Sequence, residues 1–117
     1  MEELEKTFLE EYIGASEELT KGRFKNATIL FSKALFALCD LIIYLKLRKL
    51  PKNHTERFSM LREQFPKSYV IVDEVFGYYT DAYSKPALRE TSEVIKNAIR
   101  KIAGDGAVSE KIKKIVA

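Results

Sequence analysis

The sequence predicts an all-α protein: an antiparallel helical bundle of four main helices plus one short helix. Three observations predict it. Apolar residues recur three and four positions apart through nearly every segment, Pro51, Pro66, Pro86 and Gly22 fall between those segments, and the breaks are short. Short connections favour antiparallel neighbours. A chain of 117 residues, 46% hydrophobic and 32% charged, fits one domain with a modest core and argues against disorder.

The first helix is expected over residues 3–20, where Leu4, Phe8, Tyr12, Ala15 and Leu19 form a single apolar stripe. Gly22, within "TKGR", is its stop. The second runs from about Phe24 to Lys49. Its stretch "ATILFSKALFALCDLIIYLKL" is apolar almost all round, with Ser32, Lys33, Asp40 and Lys46 as the polar exceptions. A helix apolar on every side is a central one, covered by neighbours or by a second subunit. Pro51 ends it, because proline lacks the N–H and clashes with the preceding turn.

A short third helix is expected from about His54 to Phe65. Asn53 and Glu56 make a capping box, Phe58, Leu61 and Phe65 a buried stripe, and Pro66 the close. The fourth covers about Ser68 to Ser84, with Tyr69, Val72, Phe76, Tyr79 and Tyr83 on one face. Its β-branched Val70, Ile71, Val72 and Val75 would suit a strand, but the three-four spacing favours a helix. Pro86 suits the first turn of a fifth helix, whose Leu88, Thr91, Ile95, Ala98 and Ile102 face inward up to Gly104. The bundle thus spans residues 1–104. Residues 105–117 form a C-terminal tail in which Ser109 caps a short amphipathic turn, free to fray or to dock on a partner.

Composition excludes several functions. A formal net charge of +3 permits an anionic partner without demanding one. Cys39 is the only cysteine, so no intrachain disulfide forms and a cytoplasmic, reducing compartment is expected; its apolar surroundings make it a small core residue. One histidine and one cysteine cannot supply a four-ligand zinc site, and no metal or other cofactor is expected. There is no Gly-rich phosphate loop and no Ser–His–Asp set. The acidic, amphipathic "MEELEKTFLEEY" does not suit a signal peptide. The apolar run over residues 34–47, interrupted by Asp40 and Lys46, reads as too short and too polar to span a bilayer, and no membrane partner is expected.

Two stretches hold the candidate chemistry. In "LKLRKLPKNHTER", Arg48 precedes the lone His54 by six positions. Metal-independent RNA cleavage needs a base for the 2′-hydroxyl and a cation for the charge growing on the phosphate, roles that His54 and Arg48 can fill. A helix N-terminus and the neighbouring Lys52 and Arg57 disfavour imidazolium, leaving a neutral base. The same spacing also arises in a plain basic turn whose cations meet the last carbonyls of the second helix. Lys46, Arg48, Lys49, Lys52, Arg57 and Arg62 oppose Glu56 alone in this corner, which suits phosphate groups, an acidic protein surface or solvent. In "FGYYTDAYSK", Tyr79 and Tyr83 can stack a base and Asp81 can accept from a base or ribose, with Lys52 and Arg57 as phosphate partners; core packing is the plainer role for both tyrosines. Asp40, inside the apolar second helix, requires a cation from a neighbouring helix or a second subunit.

Over about residues 5–103 the chain resembles the HEPN domain (higher eukaryotes and prokaryotes nucleotide-binding), in its small stand-alone archaeal and bacterial form. The resemblance rests on "ATILFSKALFALCDLIIYLKL", the turn "RKLPKNH" leading into "TERFSMLREQF", and the aromatic-acidic segment before the last helix. It implies a helical homodimer working beside a small nucleotidyltransferase, often as a toxin–antitoxin pair, and recognising a nucleotide or RNA. Active members are metal-independent ribonucleases with an Arg-x4-6-His motif, which Arg48 and His54 match in spacing. That motif lies late in the family, where this chain has "GYYTDAYSKPALRE" and no histidine. Asp81 and Tyr83 approximate an Asp-Tyr pair of the small relatives with one residue inserted, and the arginine before it is missing. A histidine after the second helix is a feature of those relatives, so His54 matches a structural or substrate-lining residue. The expectation is a binding module without catalysis of its own. The alternatives are a ribonuclease using His54 and Arg48, or a purely structural helical interaction protein.

Overall fold

Every apolar period in the sequence becomes a helix in the computed structural model, which describes residues 2–117. The order is α1 (Glu2–Thr20), α2 (Phe24–Leu47), α3 (His54–Gln64), α4 (Pro66–Asp81), α5 (Arg89–Asp105) and α6 (Glu110–Val116), with no strand among the described residues. The radius of gyration is 13.2 Å, that of a compact chain of this length. The all-helical reading holds, and the β-branched run over residues 70–75 is helical.

The core is built around α2, which presents buried side chains on nearly every side from Ala27 to Ile43. α1 packs on it through Phe8, Tyr12, Ala15 and Leu19, as its stripe requires. Gly22, at φ 77°, makes the tight α1–α2 turn. α5 covers another side with Ile95, Ala98, Ile99 and Ile102. A small polar seam joins α2 to α5: Thr28 and Ser92 hydroxyls lie 3.0 Å apart, both fully buried. Each hydroxyl has a partner, so the seam carries little desolvation penalty.

Four boundaries differ from the sequence reading. α2 ends at Leu47, before Lys49, because Arg48 turns left-handed at φ 56° and its N–H caps the Tyr44 carbonyl. Pro66 does not simply close α3; it is the first residue of α4, where a missing N–H costs nothing. α4 stops at Asp81, short of Ser84. Pro86 lies in the following loop, and α5 starts at Arg89. Leu88 is therefore 63% exposed, and Ser92, Ile99 and Ala103 complete the inward face in its place.

Residues 105–117 do not hang free. Ser109 caps α6 by accepting from Ile112 N, and its hydroxyl donates to Glu5 on α1 at 3.0 Å. Val108, Ile112 and Val116 join the same core as α2 and α5. Arg100 of α5 donates to the Val116 carbonyl at 2.8 Å.

The full length of α2 corrects the bilayer estimate made from residues 34–47. Phe24–Leu47 is long and apolar enough to cross a membrane by length and composition, with a mean hydropathy of 1.9 over its best window. In this fold 67% of that window is buried by the other helices. Its apolar surface is answered within the chain, as a central helix demands.

Candidate functional site

The α2–α3 corner holds an interlocked set of ionisable side chains, Asp40, Arg57 and His54. Asn53 fixes it in place: its side chain accepts from Glu56 N at 2.9 Å, and Glu56 reaches back to Lys52 N at 3.2 Å. This is the expected capping box, with the return bond one residue earlier. It sets His54 as the first residue of α3 and puts Arg57 one turn later on the same face.

Arg57 then meets Asp40 of α2. The guanidinium is forked on the carboxylate, Nε to Oδ1 at 2.7 Å and Nη2 to Oδ2 at 3.0 Å. Both side chains are largely covered, 11% and 17% exposed. Asp40 thereby obtains its cation from a neighbouring helix of the same chain. The third Arg57 nitrogen, Nη1, donates to His54 Nδ1 at 2.7 Å.

That last bond decides the chemistry of His54. A guanidinium only donates, so Nδ1 must accept, and the ring proton of the neutral form sits on Nε2. Partial burial and the Arg57 charge lower the His54 pKa from its ordinary 6.5, with Asp40 acting weakly the other way. The imidazole is neutral at pH 7. One nitrogen is occupied by a cation and the other carries the proton, so neither can take a proton from a ribose hydroxyl in this arrangement.

Aromatic rings enclose the remainder. Phe36 of α2 lies edge-on to His54 at 4.8 Å between centroids and under the Arg57 guanidinium at 5.2 Å. Phe76 and Tyr79 of α4 complete the cage at 5.3 and 5.8 Å from the imidazole. Tyr79 and Tyr83 hydroxyls lie 3.3 Å apart. That contact, together with burial, pushes the Tyr79 phenol up to about 12, so it remains neutral.

The sequence candidates fall into three groups. His54, Arg57 and Tyr79 converge at the corner, with Tyr83 at its outer edge. Arg48 does not join His54: its exposed guanidinium lies 5.5 Å over the Tyr44 ring. Lys52 is exposed, and only its backbone N–H takes part in the cap. The Asp81 carboxylate faces solvent beside Lys85 at 3.5 Å, and its backbone carbonyl accepts from the Ser84 and Lys85 N–H groups at the end of α4. The arginine that serves His54 is therefore Arg57, three residues after it, and no motif spacing in the sequence singled it out for that role. Asp40, Phe36 and Phe76 complete the site. The polar exception in an apolar helix was the one signal pointing to Asp40.

Cys39 is fully buried in α2, and burial pushes its thiol up to about 12, which leaves it inert. Among the described residues, no cluster of three His, Cys, Asp or Glu side chains could hold a metal ion. No protein-family model, curated protein or solved structure matches the chain.

Proposed function

We propose that this chain is a HEPN-like four-helix-bundle module that binds a nucleotide or RNA, or a small nucleotidyltransferase partner, without catalysis of its own. On this reading it acts as a cytoplasmic homodimer in a toxin–antitoxin-like pair. The observation that carries the non-catalytic part is the Asp40–Arg57–His54 chain, in which the lone histidine is locked as an acceptor toward a cation that is itself forked on a carboxylate. A ribonuclease base needs a free lone pair beside a phosphate clamp, and Arg48, the clamp suggested by spacing, stacks on Tyr44 instead.

Support for binding comes from the rim. Tyr78 and Tyr83 are 41% and 54% exposed on α4 and just beyond it. Lys25 approaches the Tyr83 carbonyl at 3.4 Å, which brings a cation to the same surface. Exposed aromatics beside cations suit a stacked base and its phosphate. Two measurements test the reading. Incubation with RNA in EDTA should leave the RNA intact; cleavage that disappears in His54→Ala would establish the ribonuclease alternative. Nucleotides, or a co-expressed nucleotidyltransferase, should raise the melting temperature by mass action. No shift with either would leave only the structural interaction protein.

A further inference from the structure

The exposed face of α1 is concave. A groove of about 780 Å³ follows this face. Leu9 and Ile13 provide its apolar lining, Glu2, Glu5, Glu10 and Glu17 its acidic groups, and Lys6 and Lys111 of α6 its two cations. Ile13 is 46% exposed there. α1 carries seven glutamates against Lys6 alone. Of the chain's 20 Lys and Arg and 17 Asp and Glu, nineteen basic and ten acidic residues thus lie outside α1, so its −6 stands against +9 elsewhere. Two such acidic faces repel each other, so α1 does not pair with α1.

The same chain displays a segment of complementary character. After α2, residues 48–52 form an exposed loop in which Leu50, 41% exposed, is flanked by Arg48, Lys49 and Lys52. Arg48 holds its left-handed turn although glycine or asparagine is the usual occupant there, and this turn directs the loop out of the helix. An apolar tip among cations is the counterpart of an apolar lining among glutamates. α1 and α2 are joined by a three-residue turn and run antiparallel, so the loop projects at the end of the molecule where the groove begins. A two-fold axis at that end lets each copy offer its loop to the other's groove.

We propose that a second copy of this chain fills the α1 groove. Leu50 enters against Leu9 and Ile13, and Lys49 and Lys52 meet Glu10 and Glu17. The contact is reciprocal, and it rests on the pairing part of the reading above. Electrostatics steer the encounter and fix its register, and burial of Leu50 and Ile13 slows its dissociation.

Sedimentation velocity on the full chain tests this. The wild type should self-associate, more weakly as ionic strength rises from about 0.1 to about 1 M and the Debye length falls from about 10 to about 3 Å. Ile13→Ser and Leu50→Ser should each weaken association about tenfold with unchanged melting temperature, since both side chains are exposed. The charge-reversed pair gives the sharper result. Glu10→Lys/Glu17→Lys and Lys49→Glu/Lys52→Glu should each be monomeric alone, and an equimolar mixture of the two should form a heterodimer. A dimer that persists in both variants overturns this contact and leaves the pairing reading standing. A wild type that is monomeric at every concentration overturns both.

Discussion

The α2–α3 corner and the outer face of α1 are both rich in charge, and they use it in opposite ways. At the corner, Asp40 and Arg57 are withdrawn from water, joined by two short bonds and roofed by Phe36. Both charges there are committed within the corner, Asp40 to Arg57 and Arg57 to Asp40 and His54. Along α1, Glu2, Glu10 and Glu17 remain at the solvent boundary of an apolar groove. The difference teaches that charge density says little about role. A covered pair mainly fixes geometry, and removing one half leaves the other stranded. An exposed row contributes little to stability and is left to set which surfaces can approach.

Breaking the corner should give the largest effect. Arg57→Ala leaves Asp40 covered without its cation, and chemical denaturation should register a loss of about 3 kcal/mol. Asp40→Ala should be similarly damaging, while the double variant should lose less than the sum, with a coupling of about 2 kcal/mol. Additive losses would mean that the fork holds nothing together.

Replacing Arg48 by glycine should move stability the other way. The φ of 56° is strained for arginine and free for glycine, so Arg48→Gly should gain about 0.5–1 kcal/mol in urea unfolding, less the lost stacking on Tyr44. A loss would show that the stacking outweighs the strain.

The pH dependence sharpens the assignment of His54. Its folded pKa lies below the 6.5 of the free side chain, so the unfolded chain binds the extra proton first as pH falls. This contribution is fully present above about pH 6.5 and declines as pH drops below it. Melting temperatures across that window should therefore fall in the wild type, and the part due to this histidine should vanish in His54→Gln, whose amide oxygen can still accept from Arg57. An unchanged profile would place the titration elsewhere. The smallest effect belongs to α1: Glu10→Gln/Glu17→Gln should alter monomer stability by no more than about 0.5 kcal/mol. A larger change would mean that these side chains hold the helix rather than its surroundings.

Much of this architecture was legible in the chain because its causes are local. The α1 stripe, the apolar belt of α2, the Asn53–Glu56 cap and the Ser109 cap are each written within a few residues, and the fold displays all four. The helix ends around Pro66 and Pro86 were less legible, since proline both stops one helix and starts the next, and only the neighbouring packing chooses. Leu88 is exposed because α5 begins one residue after it, and the partner of the buried Ser92, the Thr28 hydroxyl on α2, lies 64 positions away, beyond the reach of any local pattern.

The candidate site divides along the same line. The sequence alone placed one histidine at the start of a helix, a cluster of cations around it, and an acid in an apolar helix that had to find a partner. Spacing pointed to Arg48, because a motif records only distance along the chain. Tertiary structure chose Arg57, bringing it to Asp40 across 17 positions and turning His54 into the acceptor at the end of that fork. Local periodicity fixes which residues are helical and which face is apolar. How two helices cross decides which charges meet, and no pattern within either helix encodes that.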